Sequence, residues 1–367
     1  LLPLATLSLA SCAGQQKEEP KRPNIIFMMT DDHTTQAMSC YGGNLLQTPN
    51  MDRIANEGIR MDNCYAVNAL SGPSRACVLT GKFSHENGFT DNASTFNGDQ
   101  QTFPKLLQQA GYQTAMIGKW GVGGPATEGT PNKMGFGTYY GCICQRQAHT
   151  YYPPFLWQND RRVYLDNELL PPGTPLDAGA DPYDPRSYDK YTQRTYSPDA
   201  MYDQVLEFVN ANKERPFFLM WTTPIPHSPM QAPGDEQPIE GKGYFPSRWP
   251  RATYAAMITY FDRQIGGLVA ELKRLGIWEN TVIVITSDNG PASNSCSSSE
   301  WFDSAHPFRS GKGWGKSSLR EGGIRMPFIV AWGDRIERPH VNGHVGYFPD
   351  VMPTLCDIAG VETPPTD

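Results

Sequence analysis

Positive charge in excess, cysteine pairs at zinc-binding or redox spacing, repeated units and plentiful histidine are all missing from this chain. Its 31 Lys and Arg are outnumbered by 38 Asp and Glu, a formal charge of −7 over 367 residues. No broad basic face exists to draw in phosphate, which argues against a general binder of nucleic acid or of anionic membranes. An anionic substrate must be met by a few placed cations. Among the 8 cysteines no pair has zinc-finger or redox spacing, and Cys142-Ile143-Cys144 is too tight for a zinc knuckle. The 7 scattered histidines do not assemble the several imidazole ligands that a zinc pair requires. Heptads and internal repeats are absent too, which excludes coiled-coil and solenoid architectures.

What is present points to a large core. With 39% hydrophobic and 11% aromatic residues, the chain forms one big α/β domain or two modest ones. It starts at Leu1, and "LLPLATLSLASC" reads as the apolar and small-residue parts of a secretory signal whose basic start is missing. Leu9-Ala10-Ser11-Cys12 is similar to a bacterial lipobox, with Cys12 as a lipidated N-terminus; an ordinary cleaved signal is the alternative. Both readings export the protein, to the periplasm or as an outer-membrane lipoprotein whose membrane contact is the lipid at Cys12. With Cys12 set aside, 40, 64, 77, 142, 144, 296 and 356 remain, an odd set expected to be mostly buried free thiols.

Short apolar runs alternate with amphipathic stretches from Lys21 onward, which predicts a mostly parallel central sheet sandwiched by helices. "NIIFMM" (24–29) is a buried-type strand ending at Asp31-Asp32, and "TVIVIT" (281–286) is another, running into Asp288-Asn289. Further strands are expected at "YQTAMIG" before Lys119 and "PFFLMW" before His227, and helices at 48–58, 103–110, 197–212 and 252–275. Residues 125–195, rich in Pro, Gly, Tyr and Asp, read as long loops over one sheet edge.

Two hydrophobic strands thus deliver Asp31, Asp32, Asp288 and Asn289 at their carboxyl ends, the rim where open α/β sheets place their sites. Hard oxygen donors on such loops suit Ca²⁺, with Mg²⁺ second; turn and cap roles are the plainer explanation of each residue taken singly. Between them lies "SGPSRACVLTG" (71–81), a short helix that places a hydroxyl and a guanidinium at its electropositive end. Such a place suits a tetrahedral oxyanion. From spacing alone, Ser71 is either a nucleophile or a helix cap.

That stretch resembles the sulfatase signature (Cys or Ser)-x-Pro-Ser-Arg-x-x-x-Leu-Thr-Gly at every fixed position. The resemblance runs from about Pro23 to Pro365 and implies an alkaline-phosphatase-like fold and hydrolysis of sulfate monoesters, on carbohydrates or aryl sulfates. It further implies that Ser71 is converted to formylglycine, a serine being similar to the bacterial type matured by an anaerobic sulfatase-maturating enzyme. Asp31, Asp32, Ser71, Asp288 and Asn289 then look like the Ca²⁺ shell, and Arg75 like the partner of the formylglycine hydroxyl. Lys119, His227 and Lys316 look like the cations gripping the sulfate ester. The implied organisation is a signal remnant and tether over 1–20 and a sulfatase catalytic domain over 21–367 that stops before the usual small C-terminal subdomain.

Position 121 departs from the pattern. Many sulfatases read Gly-Lys-Trp-His there, the His being assigned to the formylglycine hydroxyl, whereas this chain has Gly121. His149, or His33 beside the acidic pair, could approach the site instead, His149 as a substrate contact; His85 is expected to pack, and His340 and His344 receive no role. Tyr151, Tyr152, Phe155 and Trp157 could stack on sugar rings or pack within the loop. Two other readings compete: a phosphomonoester or phosphonate hydrolase of the same superfamily, and a non-catalytic glycan-binding relative.

Overall fold

The computed structural model describes residues 21–43, 46–171, 174–181, 184–233, 250–293, 297, 299–333, 335–336 and 340–364. Cys12, Cys296 and the whole of 1–20 lie outside them. In chain order the elements are β1 (Asn24–Thr30), α1 (Pro49–Asn56), β2 (Gly58–Tyr65), α2 (Ser71–Thr80), α3 (Ser84–Asn87), α4 (Phe103–Gln109), β3 (Gln113–Lys119) and β4 (Thr138–Cys142). There follow β5 (Phe155–Gln158), β6 (Arg161–Tyr164), α5 (Ser197–Asn212), β7 (Phe217–Thr222), α6 (Pro250–Arg274), β8 (Thr281–Ser287), α7 (Glu321–Ile324), β9 (Arg325–Trp332), β10 (His340–Tyr347) and α8 (Val351–Ile358).

The strands form one sheet in the order β10-β2-β9-β8-β1-β7-β3-β4-β5-β6. Its centre, β8-β1-β7-β3-β4, is parallel throughout. At the flanks β9 runs antiparallel to β8 and β2, and β5 runs antiparallel to β4 and β6. The expected parallel sheet is therefore right for the core and mixed at the edges, where antiparallel strands tolerate a solvated face. Helices α1, α5 and α6 cover one face, while α2, α4 and α8 cover the other. Because β1 and β8 are covered on both sides, all seven residues of each are buried. Such burial demands an uninterrupted apolar run, and that is what made them readable.

The loop reading of 125–195 needs correction. It contains β4, β5 and β6, which extend the sheet beyond β3. These strands are four or five residues long and interrupted by Gly141 and charged Arg161-Arg162, so no two-residue alternation stands out. Tyr151 and Tyr152 are 0% and 2% exposed, so they pack in the core and are not sugar platforms; Phe155 and Trp157 remain half-buried. The six described cysteines are all free thiols, four of them buried.

Where β3 carries Lys119 to the rim, the backbone is tightly packed. Gly118 holds φ +123°, and a Cβ there would lie 2.0 Å from the Thr222 carbonyl oxygen on β7. Gly118→Ala should destabilise the fold by about 2 kcal/mol or more. Denaturant titration measures this; a change under about 0.5 kcal/mol would mean that β3 and β7 part easily.

Candidate active site

Register brings the acidic groups together. On adjacent parallel strands Thr30 lies opposite Ser287, so Asp31-Asp32 and Asp288-Asn289 leave the sheet side by side, all essentially fully buried. Asp32 takes φ +63°, uncommon for a residue with a side chain, and its backbone N–H donates to Asp288 Oδ1 at 3.2 Å. The turn thereby holds the two strand ends to each other.

Ser71 is not a helix cap. Leu70 occupies the cap position of α2, and Ser71, the first helical residue, points its hydroxyl at the acidic cluster. Its Oγ lies 3.1 Å from Asp31 Oδ1 and 3.2 Å from Asn289 Oδ1. Both neighbours are acceptors and the hydroxyl has one proton, so three oxygens converge with one hydrogen between them. Asp32 Oδ2 is buried and has no hydrogen-bond partner among the described residues. Atoms of Asp31, Asp32 and His227 lie within 4.8 Å of one another in a set able to hold a metal ion. Crowded oxygens and an orphaned carboxylate oxygen fit a hard divalent cation.

Three cations balance the three carboxylates. Arg75 donates from Nε and Nη2 to Asp288 Oδ2 at 3.1 and 2.9 Å, and from Nη1 to the Lys119 carbonyl at 2.6 Å. Lys119 makes a short ion pair with Asp31 Oδ2. Lys316 reaches Asp32 Oδ1 at 2.7 Å, and Asn289 Nδ2 donates to the same oxygen at 2.6 Å. Burial pushes the Asp31 carboxyl up, but Lys119, His227, Lys316 and Arg75 outweigh it and hold the group well below the ordinary carboxylate range. Asp288 goes the other way, raised by burial and by the Asp31 charge despite Arg75. For Lys316, burial is overcome by Asp32, Asp31 and Asp288, and its ammonium is held firmly charged.

The sulfatase family model aligns with residues 23–361. The chain belongs to the sulfatase family. It is 39% identical to an N-acetylglucosamine-6-O-sulfatase of Bacteroides thetaiotaomicron, the match covering 99% of this chain and 72% of the relative. It is 30% identical to the human N-acetylgalactosamine-6-sulfatase over 95% of this chain and 64% of the relative. A structure solved in complex with its substrate D-glucosamine-2-N,6-O-disulfate superposes with TM-score 0.70 at 35% identity, covering 94% of this chain and 78% of that one. The fold is the alkaline-phosphatase-like one that such structures share.

All the residues singled out by the motif in this sulfatase converge. His227, after β7, has Nδ1 2.5 Å from the Ser228 carbonyl; Nδ1–H donates there, and Nε2 faces Asp32 Oδ2 at 3.8 Å. The Tyr151 hydroxyl lies 2.8 Å from the carbonyls of Pro224 and His227 and fixes that loop, a positioning contact that the sequence reading missed. His149 stacks on His227, ring centroids 5.0 Å apart and planes 11° apart. Burial first, then His227 and Lys119, push His149 down to about 4. His33 turns its Nε2 to the Ala37 carbonyl instead; exposed His85 stacks on Phe83, and His340 and His344 lie on β10 away from the cluster.

Gly121 holds φ +81°, and a Cβ there would meet Gln145 Nε2 at 2.7 Å. That amide donates to the Gly121 carbonyl at 3.0 Å. Gln145 was not picked out by sequence. The glycine standing where the family pattern has a histidine was the available signal.

Added Ca²⁺ should raise the unfolding temperature of this sulfatase, by about 2.7 kcal/mol of stability at a hundredfold excess over its dissociation constant. Asp32→Ala should abolish the response; a variant still stabilised by Ca²⁺ would place the ion elsewhere. His149 supplies a pH test. Its pKa of about 4 lies below the unbound value of 6.5, so unfolding takes up a proton and stability falls as pH drops from 6.5 toward 4. In His149→Gln this contribution disappears, so the gap in unfolding midpoint between native protein and variant should narrow from pH 7 to pH 4.5.

Proposed function

We propose that this chain hydrolyses 6-O-sulfate esters of hexosamine-containing carbohydrates, with Ser71 converted to formylglycine and Ca²⁺ held by Asp31, Asp32, Asp288, Asn289 and residue 71. The observation that carries it is Ser71 Oγ, at the positive end of α2, wedged between two acceptor oxygens. A serine hydroxyl kept as such gains little from that crowding. A metal-held residue 71 makes sense of it. The hexosamine part rests on the names of the bacterial and human relatives and on the glucosamine disulfate bound in the similar structure.

The cation would supply charge to neutralise sulfate oxygens, and the formylglycine hydrate would supply the attacking oxygen. The chain's own residues do the rest. Arg75 spends its guanidinium on Asp288 and the Lys119 carbonyl and so sets the angle between α2 and the β8 rim. Lys119 and Lys316 neutralise Asp31 and Asp32 from opposite sides, and a divalent ion added to a balanced cluster leaves the site net positive toward a sulfate ester. His227, with Nδ1–H fixed by Ser228, turns Nε2 toward Asp32 Oδ2 and is the group that would protonate the departing sugar oxygen. His149, held neutral behind it, contacts substrate from the loop after β4. Export, lipidation at Cys12, a 1–20 tether before a 21–367 catalytic domain and maturation by an anaerobic radical enzyme belong to the same reading.

Mass spectrometry of the Ser71 peptide from protein made in a host with the maturating enzyme should show the loss of two hydrogens. Unmodified serine there overturns the mechanism. Ser71→Ala should lower turnover of 4-nitrophenyl sulfate at least a thousandfold while leaving the fold intact, since removing a nucleophile costs most of the catalysis.

A further inference from the structure

The loop after β7 carries His227, and hydrogen bonds hold its backbone in a closed turn. The His227 N–H donates to the Pro224 carbonyl at 2.9 Å, and the Ile225 carbonyl accepts from the Asp31 N–H at 3.0 Å. The turn is therefore tied to the strand end that bears the acids. The Tyr151 hydroxyl then lies 2.8 Å from both the Pro224 and the His227 carbonyls, and one hydrogen shared between two acceptors ties the first and last residues of the turn to each other. Tyr151 is itself anchored. Its ring is fully buried and stacks on Tyr196 with centroids 5.7 Å apart. Its N–H donates to Oε1 of buried Gln231 at 2.9 Å, and its carbonyl accepts from the Ser197 N–H at 2.8 Å, where α5 begins. Gln231 in turn donates from Nε2 to the Tyr191 carbonyl at 2.8 Å. Two residues before Tyr151, His149 lies flat on the His227 ring. The stretch 149–151 thus grips His227 twice, by its ring and by its backbone.

We propose that Tyr151 is a positioning residue for protonation of the leaving oxygen, holding the Pro224–His227 turn so that His227 keeps one hydrogen on Nδ1 and has Nε2 for the transferable one. The inference rests on the sulfatase reading with His227 as proton donor. The Nδ1 contact runs to the carbonyl of the very next residue, Ser228. An imidazole reaches that carbonyl only over a narrow range of backbone angles, so the turn selects the tautomer. In the step itself the ester S–O bond breaks as sulfur bonds to the oxygen of residue 71. The electron pair stays on the sugar oxygen, which takes the Nε2 proton, and the His227 ring is left neutral with its hydrogen on Nδ1. A shift of about 1 Å in a reacting group can cost roughly a hundredfold in rate. Leaving groups differ in what they ask of the donor: a sugar alkoxide is too basic to depart without a proton, whereas 4-nitrophenolate departs without one. A misplaced His227 is therefore read as a loss confined to the sugar ester. Burial keeps the Tyr151 hydroxyl protonated well above the ordinary tyrosine range, so it stays a donor.

The test compares Tyr151→Phe with the native protein, both matured and Ca²⁺-loaded, on a hexosamine 6-O-sulfate and on 4-nitrophenyl sulfate. The variant should lose about tenfold or more in kcat on the sugar sulfate and less than about threefold on the aryl sulfate, with KM nearly unchanged on both. An equal fall on the two esters, as a merely structural role would give, overturns the proposal, and so does an unchanged ratio. His227→Gln separates this from the reading beneath it. It should show the same selective loss; if it does and Tyr151→Phe does not, only the positioning role fails, whereas an equal loss on both esters removes His227 as the donor. Nitrogen-15 NMR of histidine-labelled protein reads the ring without turnover, in mildly alkaline buffer where an imidazole is ordinarily neutral. The His227 signal, assigned by its absence from His227→Gln, should show the hydrogen on Nδ1 in the native protein and mixed tautomers in Tyr151→Phe. A variant that keeps the native tautomer overturns the proposal even if neither ester is cleaved, the outcome that would sink the sulfatase reading itself. Should Tyr151→Phe not fold, Gln231→Met, which removes the acceptor of the Tyr151 N–H, is held to the same ratio and the same spectrum.

Discussion

Two carboxylates forced side by side at the end of a parallel sheet set the terms for this molecule. Adjacent strands lie about 4.8 Å apart, so Asp31 and Asp288, leaving β1 and β8 in register, repel by roughly 3 to 4 kcal/mol even at an effective dielectric of 20. Burial adds several kcal/mol per charge. No single element could compensate, and three do: Lys119 from the end of β3, Arg75 from the first turn of α2, and Lys316 from the turn pinned to Pro291. Each cation is thus held by electrostatics in the place where an anionic substrate can use it. The fold holds these charges together because the sheet and its two helical layers bury more than enough apolar surface elsewhere. A site of this kind weakens a protein unless it does chemistry, and that is the physical reason to read it as an active site.

Metal affinity and local backbone are connected through Asp32. Its left-handed conformation turns the carboxylate so that Oδ1 receives Lys316 and Asn289 while Oδ2 remains without a partner. A side chain bonded at both oxygens would make a neutral, closed network. Leaving one oxygen bare keeps a lone pair free to ligate a cation, and the Ser71 hydroxyl, with one proton between two acceptor oxygens, leaves further lone pairs unmet beside it.

Much of this was legible in the sequence, for identifiable reasons. β1 and β8 are buried on both faces, so their apolar runs are unbroken and the acids that stop them stand out. The edges were not legible, because β4, β5 and β6 are short and carry glycine, aromatic and charged residues whose side of the sheet is decided by neighbours distant in sequence. Likewise Pro73 fits a helix that starts at Ser71 or one residue later, and only the fold shows Leu70 as the cap and Ser71 turned inward. For Tyr151 and Tyr152 the sequence left sugar stacking and packing both open, and the fold decides for packing, with Tyr151 under the His227 loop and holding it.

The departure at position 121 shows how one site can be rebuilt from other parts. The Gly121 backbone is left-handed, so a side chain there would be strained, and the Gln145 amide stands where a Cβ would be. The loop after β4 carries His149 on the short turn Gln147–His149 and lays it flat against His227. Two stacked imidazoles cannot both carry a proton cheaply in a half-buried setting, because the second charge meets the first at about 5 Å. With Lys119 also nearby, His149 is kept neutral, while His227 commits its Nδ1–H to the Ser228 carbonyl. A side chain at 121 would push aside the Gln145 amide, which donates to the Gly121 carbonyl.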